Sequence, residues 1–226
     1  MDIEKIKRAV GFRAAELIKD RMVVGIGSGS TVHYFIERLG QRCEEGLSIR
    51  AVASSHESSR KAVERGIPVC SIEEVAEIDI TVDGADQIDP EKRMIKGRGG
   101  AFFREKMLAM IAKEMLVIVD DAKLVHKLGH TLLPVEIVPF GAQITQKVLE
   151  NIGYEGFFRK TSEGSFYLTD NGNYIFDVKL DSLCDYPEED HHEIMQVSGI
   201  VDTGFFFGLA GRIIVGYDDE RVEILN

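Results

Sequence analysis

The sequence predicts an α/β protein in which a doubly wound, mainly parallel sheet is joined to a second, smaller α+β domain. Three observations carry this. Ahead of Leu132, short apolar runs such as MVVGIG, LSIRAVASS, IDITVD and MLVIVD alternate with stretches long enough for helices, the pattern of repeated strand–helix crossovers. From Leu132 onward the texture changes to LLPVEIVPF, YEGFFRK and FYLTDNGNYIFDV, whose Asn-Gly pair signals a hairpin. A chain of 226 residues, 44% hydrophobic, also has the apolar material for a full core and lies between one large domain and two small ones.

The elements follow in order. Ile3, Ile6, Val10, Leu17 and Ile18 recur at helical spacing across IEKIKRAVGFRAAELIKD, so an amphipathic helix opens the chain. MVVGIG is a short buried strand that breaks at GSGST and resumes as the helix TVHYFIERLG, expected to close at Gly40. LSIRAVASS is the next strand, followed by a helix near Ser55 to Arg65, a short strand IPVC, a helical piece SIEEVAE and the strand IDITVD. AFFREKMLAMIAKE has mixed helical periodicity and leads into the strand MLVIVD. Beyond Leu132, helices are expected near Ala142 to Asn151 and Pro187 to Val197, and FFFGLAGRIIVGYDDERVEIL supplies strands that return to the first sheet or its edge. These elements divide into a Rossmann-like domain, residues 1–131 with 204–226, and a ferredoxin-like α+β domain, residues 132–203.

Composition narrows the function. A net charge of −11 opposes general nucleic-acid binding, which draws its affinity from neutralising phosphates with Lys and Arg. Apolar runs such as Met115 to Val119 are far shorter than a membrane span, and MDIEKIKRAV lacks the apolar centre of a signal peptide, so the expected location is the cytoplasm. Cys43, Cys70 and Cys184 are odd in number and widely separated, which suggests reduced thiols rather than disulfides or a zinc site. His191 and His192 lie together in PEEDHHE, at a solvated helix start.

Chemistry concentrates in two stretches. GIGSGST joins strand, glycine turn and helix, where unsatisfied amides and the positive end of the helix dipole can meet an anion. A dinucleotide fingerprint is the rival, but Ser30 stands where its third glycine belongs and LSIRAVASS ends without an acid for the ribose. The hydroxyls of Ser28, Ser30 and Thr31 also suit helix N-caps, and for the loop alone both explanations stand. The second stretch, Ile80 to Lys106, places Asp83 and Asp86 after a strand, then Lys96 in a glycine-rich turn, then Glu105 at the start of a helix. In a doubly wound sheet, ligands sit beyond the carboxyl ends of strands, where both stretches fall. Taken singly, Asp83 and Asp86 also suit a turn, Glu105 a surface helix start and Lys123 a solvated lysine.

Together GIGSGST, VDGADQIDP, KGRGGAFFREK, VDDAK, LPVEIVPF and TDNGN closely resemble, in order and separation, the A-type ribose-5-phosphate isomerases, from Lys5 to the C-terminus. The resemblance implies interconversion of ribose 5-phosphate and ribulose 5-phosphate in the pentose phosphate pathway with neither metal nor organic cofactor, and a homodimer or homotetramer. It puts the catalytic base on Glu105, the paired aspartates on Asp83 and Asp86, and the active-site lysine on Lys96. Substrate-binding positions fall on Ser28, Gly29, Ser30 and Thr31, on Gly84 and Ala85, and on Gly97, Arg98 and Gly99, with phosphate-binding lysines at Lys7 and Lys123. Ser28 replaces a threonine found in many relatives, and Arg98 interrupts a turn that is often all glycine. A sugar-phosphate-sensing domain would need a DNA-binding extension, and a coenzyme A transferase using Glu105 as nucleophile would need a larger nucleotide-binding apparatus.

Overall fold

A computed structural model describes residues 3–219 and 221–226. Helix α1 (Ile3–Ala15) is followed by β1 (Val23–Ile26), α2 (Ser30–Glu44), β2 (Arg50–Ala53), α3 (His56–Glu64) and β3 (Ile80–Asp83). Two short strands, β4 (Gln87–Ile88) and β5 (Met94–Ile95), precede α4 (Phe102–Met110) and β6 (Met115–Asp120). Then come β7 (Gly129–Ile137), α5 (Ala142–Asn151), β8 (Gly156–Phe158), β9 (Tyr174–Leu183), α6 (Pro187–Met195) and β10 (Ile200–Thr203). Strands β11 (Phe205–Phe206), β12 (Ala210–Gly216) and β13 (Val222–Leu225) end the chain.

The chain divides into two compact units: Met1–Ala85, Arg104–Leu124 and Gly208–Asn226 form one, Asp86–Phe103 and Val125–Phe207 the other. The first is built on a six-stranded sheet in the order β13-β12-β6-β3-β1-β2. Every pairing in it is parallel except β12 with β13. The strand order reverses between β1 and β3, the topological switch point at which doubly wound sheets bind ligands. Val24, Ile26, Ile80, Val82, Leu116 and Ile118 face one side, where they meet Val10 and Ala14 of α1 and Phe35 and Leu39 of α2. The alternate residues face the other side, and Val23 there packs with Ile78, Leu108 and Ile111. Helices thus cover both faces, as the alternating pattern predicts.

The second unit contains an antiparallel sheet in the order β10-β7-β9-β8, with α5 and α6 as its crossovers, which is the ferredoxin-like arrangement. Leu133, Val135, Ile137, Phe176 and Val178 face the helices with Leu149, Ile194 and Val197. Pro134, Glu136 and Asp177 alternate with them onto the opposite face. Glu136 is a hub there: its Oε1 accepts from Thr169 Oγ1 (3.0 Å), Asn171 Nδ2 (3.0 Å) and Asn173 Nδ2 (2.8 Å), so TDNGN is tied at its turn. A separate three-stranded sheet, β11-β5-β4, completes the unit.

The boundaries expected at Leu132 and Thr203 therefore differ from the observed division. Residues 86–103 and 204–207 group with the second unit because β5 pairs with β11 on one side and β4 on the other, not with the six-stranded sheet. Val125 joins it where its amide donates to Ile88 O at 2.9 Å. Three elements also differ. IPVC forms only an isolated parallel bridge between Val69 and Ala51. Helix α1 stops at Ala15, where Arg42 of α2 takes the carbonyls of Ala15 and Ile18, the latter at 2.7 Å.

The third is Gly40, which does not end α2; the helix continues to Glu44. A Cβ at Gly40 would lie 2.6 Å from Arg65 Cβ and 2.9 Å from Arg65 O, so this glycine permits the close approach of the chain at the end of α3. Gly40→Val is expected to destabilise the fold by about 1–3 kcal/mol, the usual cost of overpacking. Urea unfolding of the variant checks this, as a lowered midpoint at unchanged slope.

Candidate active site

In the first unit, the end of β1 is shaped by its neighbour. Gly25 and Gly27 lie two residues apart on one strand face, and added Cβ atoms would drive into Thr81 and Asp83 of β3. With glycine at 27, the Asp83 carboxylate folds in at 2% exposure and its Oδ1 accepts the amides of Gly84 (2.8 Å) and Ser28 (3.2 Å). Burying a carboxylate is costly without such donors. Asp83 thereby ties the loop after β1 to the loop after β3.

The GSGST loop then enters α2. Gly29, at φ 115°, occupies the N-cap position, and no side chain caps the helix there. The first-turn amides of a 15-residue helix are thus left without a side-chain acceptor, with Ser30 exposed and Thr31 half-buried beside them. Ser28 takes neither the capping role nor an outward one: its Oγ lies 2.9 Å from Ser54 Oγ, 2.8 Å from Ser55 Oγ and 3.2 Å from Ser58 Oγ. The single Ser28 proton goes to Ser55 Oγ, and Ser54 Oγ is placed to donate in return. Ser55 also caps α3, accepting from Ser58 N at 3.1 Å, and Ser58 Oγ donates to Gly27 O at 2.6 Å. This serine hub fixes the loop from beneath.

Strand alternation places Asp83 on the sheet face that α4 covers, since Val23, Gly25 and Gly27 share that side and Val23 packs with Leu108. Glu105 stands in the first turn of α4 and is 5% exposed, so it is a buried acid and not a surface residue of the helix start. Ala85 and Gly84 are half-buried in the loop after β3. Lys123 ends a single 3-10 turn, Asp121–Lys123, directly after β6, the strand next to β3. Lys7 lies on α1 and donates to Glu4 Oε1 at 2.7 Å. That bond, followed by one from Tyr34 Oη at 2.7 Å, holds the Glu4 carboxyl below the usual carboxylate range.

The second unit positions the remaining candidates. Lys96 follows β5 directly and is 3% exposed; its amide donates to Gly204 O at 2.8 Å and its Nζ lies 5.4 Å from the centre of the Phe206 ring. Gly97, at φ 112°, fits against Phe102 and Pro134, where a side chain has no room. Asp86 Oδ2 accepts the Arg98 amide at 3.0 Å, while the Arg98 side chain is 73% exposed. Arg98 thus leaves the course of the turn intact: its side chain lies outside, with Nε 3.8 Å from Asp86 Oδ1, and its backbone amide makes the closer contact to the same carboxylate.

Sequence reading missed the groups that brace this turn. Arg159 donates from Nη1 to Gly97 O and Arg98 O, each at 3.0 Å, and Tyr167 Oη donates to Gly99 O at 3.3 Å. Both are more than 60 residues from the turn along the chain. Only the apolar–polar alternation around Phe176, Asp177 and Val178 hints that Asp177, the partner of Arg159, turns away from the helix-covered core. Among the described residues, no group of three or more His, Cys, Asp or Glu side chains is arranged to hold a metal ion, and no helix is long and apolar enough to cross a membrane.

Comparison with known proteins bears on this arrangement as a whole. Residues 50–220 match the family model described as ribose 5-phosphate isomerase A (phosphoriboisomerase A). A ribose-5-phosphate isomerase A from Protochlamydia amoebophila is 46% identical over 221 residues, covering 98% of this chain and 95% of that protein. Among solved structures, a ribose 5-phosphate isomerase from Plasmodium falciparum is 33% identical with a TM-score of 0.94, covering 99% of this chain and 98% of the other. A D-ribose-5-phosphate isomerase in complex with phospho-erythronic acid is 34% identical, also with a TM-score of 0.94, over the whole of both chains. Sequence and fold agree over essentially the full length, and the chain belongs to the ribose 5-phosphate isomerase A family.

Proposed function

We propose that this protein interconverts D-ribose 5-phosphate and D-ribulose 5-phosphate through an enediolate, with Glu105 as general base. The observation that carries the assignment is the burial of Glu105 in the first turn of α4, the helix whose Leu108 packs on the sheet side that bears Asp83, within a chain 46% identical to a ribose-5-phosphate isomerase A. A carboxylate kept from bulk water at a helix start suits proton abstraction from carbon better than a surface acid does. Glu105 takes the proton from C2 of the aldose and returns it to C1, while the proton on O2 passes to O1. Asp83 and Asp86 hold these hydroxyls, carry the proton between the oxygens and assist opening of the furanose ring. Lys96 and the amides of the Gly97 to Gly100 turn stabilise negative charge developing on oxygen.

The phosphate supplies binding energy remote from the reacting carbons. Its ligands are the uncapped first-turn amides of α2, the hydroxyls of Ser30 and Thr31, and Lys123, with Ser28 and Gly29 shaping the loop. Lys7 joins them by exchanging its partner Glu4 for the phosphate. Gly84, Ala85, Gly97, Arg98 and Gly99 contact the sugar through their backbone. One relative's complex with phospho-erythronic acid, a four-carbon phosphorylated acid, fits a site for phosphorylated sugar chains. The assembly is a homodimer or homotetramer. Phe140, Ile144, Val148 and Ile152, all exposed and four residues apart along α5 and its approach, are apolar surface of the kind oligomers bury.

Three measurements test these assignments. Glu105→Gln is expected to lower kcat at least about 100-fold, with KM within about threefold of the parent, in a coupled assay of ribulose 5-phosphate formation; near-normal turnover overturns the base assignment. Lys123→Ala should raise KM for ribose 5-phosphate by about tenfold or more, since a charged contact to phosphate is lost, and lower kcat much less. Light scattering of the purified chain is expected to give twice or four times the 25.2 kDa protomer mass; a monomer refutes the oligomer.

A further inference from the structure

The Gly97–Gly100 turn presents three consecutive carbonyls to one wall of the second unit. Arg159 Nη1 donates to the first two, Gly97 O and Arg98 O, and Tyr167 Oη to the third, Gly99 O. Arg159 is itself fixed: its Nε and Nη2 form a two-pronged pair with the buried Asp177 at 2.9 and 2.6 Å, and the Tyr167 ring lies 5.8 Å from its guanidinium carbon. Asp177 points this way because Phe176 and Val178, its neighbours in β9, are committed to the opposite, helix-covered face.

A trans peptide group is planar, so its N–H points opposite to its C=O. Drawing Gly97 O toward Arg159 therefore aims the Arg98 N–H the other way, where it meets Asp86 Oδ2 at 3.0 Å. Drawing Arg98 O to the same guanidinium likewise turns the Gly99 amide away from Arg159. A turn with glycines at 97, 99 and 100 has wide conformational freedom of its own. Donors stabilise a developing oxyanion well only when their directions are set beforehand. One guanidinium thus sets the directions of two successive amides and, through the first, of one catalytic carboxylate.

We infer that Arg159, assisted by Tyr167, is a positioning residue of the isomerisation: it acts through the Gly97–Gly99 peptides and Asp86, and not on the sugar itself. This rests on the isomerase function proposed above. Arginine is required because a lysine, with one compact ammonium, cannot span both carbonyls and a bidentate carboxylate together.

The test compares the full chain with Arg159→Lys and Tyr167→Phe. Wild-type turnover of ribose 5-phosphate is measured first; if there is none, the proposed activity falls, and this inference with it. With an active wild type, Arg159→Lys is expected to lower kcat by about tenfold or more with KM within about threefold, and Tyr167→Phe to lower it about two- to fivefold. Calorimetric affinity for phospho-erythronic acid, whose carboxylate spreads negative charge over two coplanar oxygens much as the enediolate does over the oxygens of its two adjacent planar carbons, should weaken by about tenfold or more in Arg159→Lys, while affinity for inorganic phosphate stays within about twofold. A merely structural role would lower the thermal midpoint, or weaken both ligands equally, without that separation. A folded Arg159→Lys with kcat within twofold of wild type overturns the inference. If that variant does not fold, Tyr167→Phe decides: an unchanged kcat refutes the bracing, and a loss of about twofold or more at unchanged phosphate affinity supports it.

Discussion

A carboxylate buried at the end of β3 is the constraint on which the first unit's site depends. Asp83 can be there because the strand beside it is followed by Gly27, and it stays because two amides answer its charge. The consequences run outward. The Ser28 amide is committed to Asp83, the Ser28 hydroxyl to three other serines, and the backbone then enters α2 at Gly29 with its first-turn amides left without a side-chain cap. One buried acid therefore ties the loop after β3 to the glycine entry of α2.

The second unit solves a similar problem with the opposite charge. Its glycine turn exposes carbonyls that must be satisfied if the turn is to keep one shape, and Arg159 supplies donors for two of them while Asp177 neutralises it. Near Asp177, on the same face of the sheet, Glu136 collects Thr169, Asn171 and Asn173. LPVEIVPF and TDNGN, notable as strings of sequence only for their place in a family pattern, become one polar cluster that anchors the hairpin carrying Tyr167. The Glu136 Oε2 is buried without a partner among the described residues, a local cost accepted where the other oxygen makes three bonds.

Much of this was legible beforehand where the signal is local. Helix α5 runs over Ala142–Asn151 as its periodicity indicates, and MLVIVD is a strand buried at every position. Both motifs at the switch point followed from the alternation of strands and helices. Where a residue answers to a distant neighbour, local rules misled. Gly40 reads as a helix terminator but serves a close approach to Arg65, and Ser28 suits a helix cap but its hydroxyl meets those of Ser54 and Ser55, just after β2, and Ser58 of α3. IPVC has strand composition, yet at the rim of the sheet it makes only a single bridge.

The amino-acid sequence by itself determined the fold class, the order of the elements and the identity of Asp83, Asp86, Lys96 and Glu105 as the residues to watch, because hydrophobic period, glycine turns and ordered motifs are all properties of neighbours along the chain. Only the tertiary structure decided that 86–103 groups with the second unit, that Glu105 is buried, and that Arg159 and Tyr167 hold the lysine's turn. Those facts depend on which strands pair, as Ile95 does with Phe205, and on which side chains meet across gaps of more than sixty residues. Such contacts are selected by packing and hydrogen-bond satisfaction in three dimensions, and they leave no periodic trace in one.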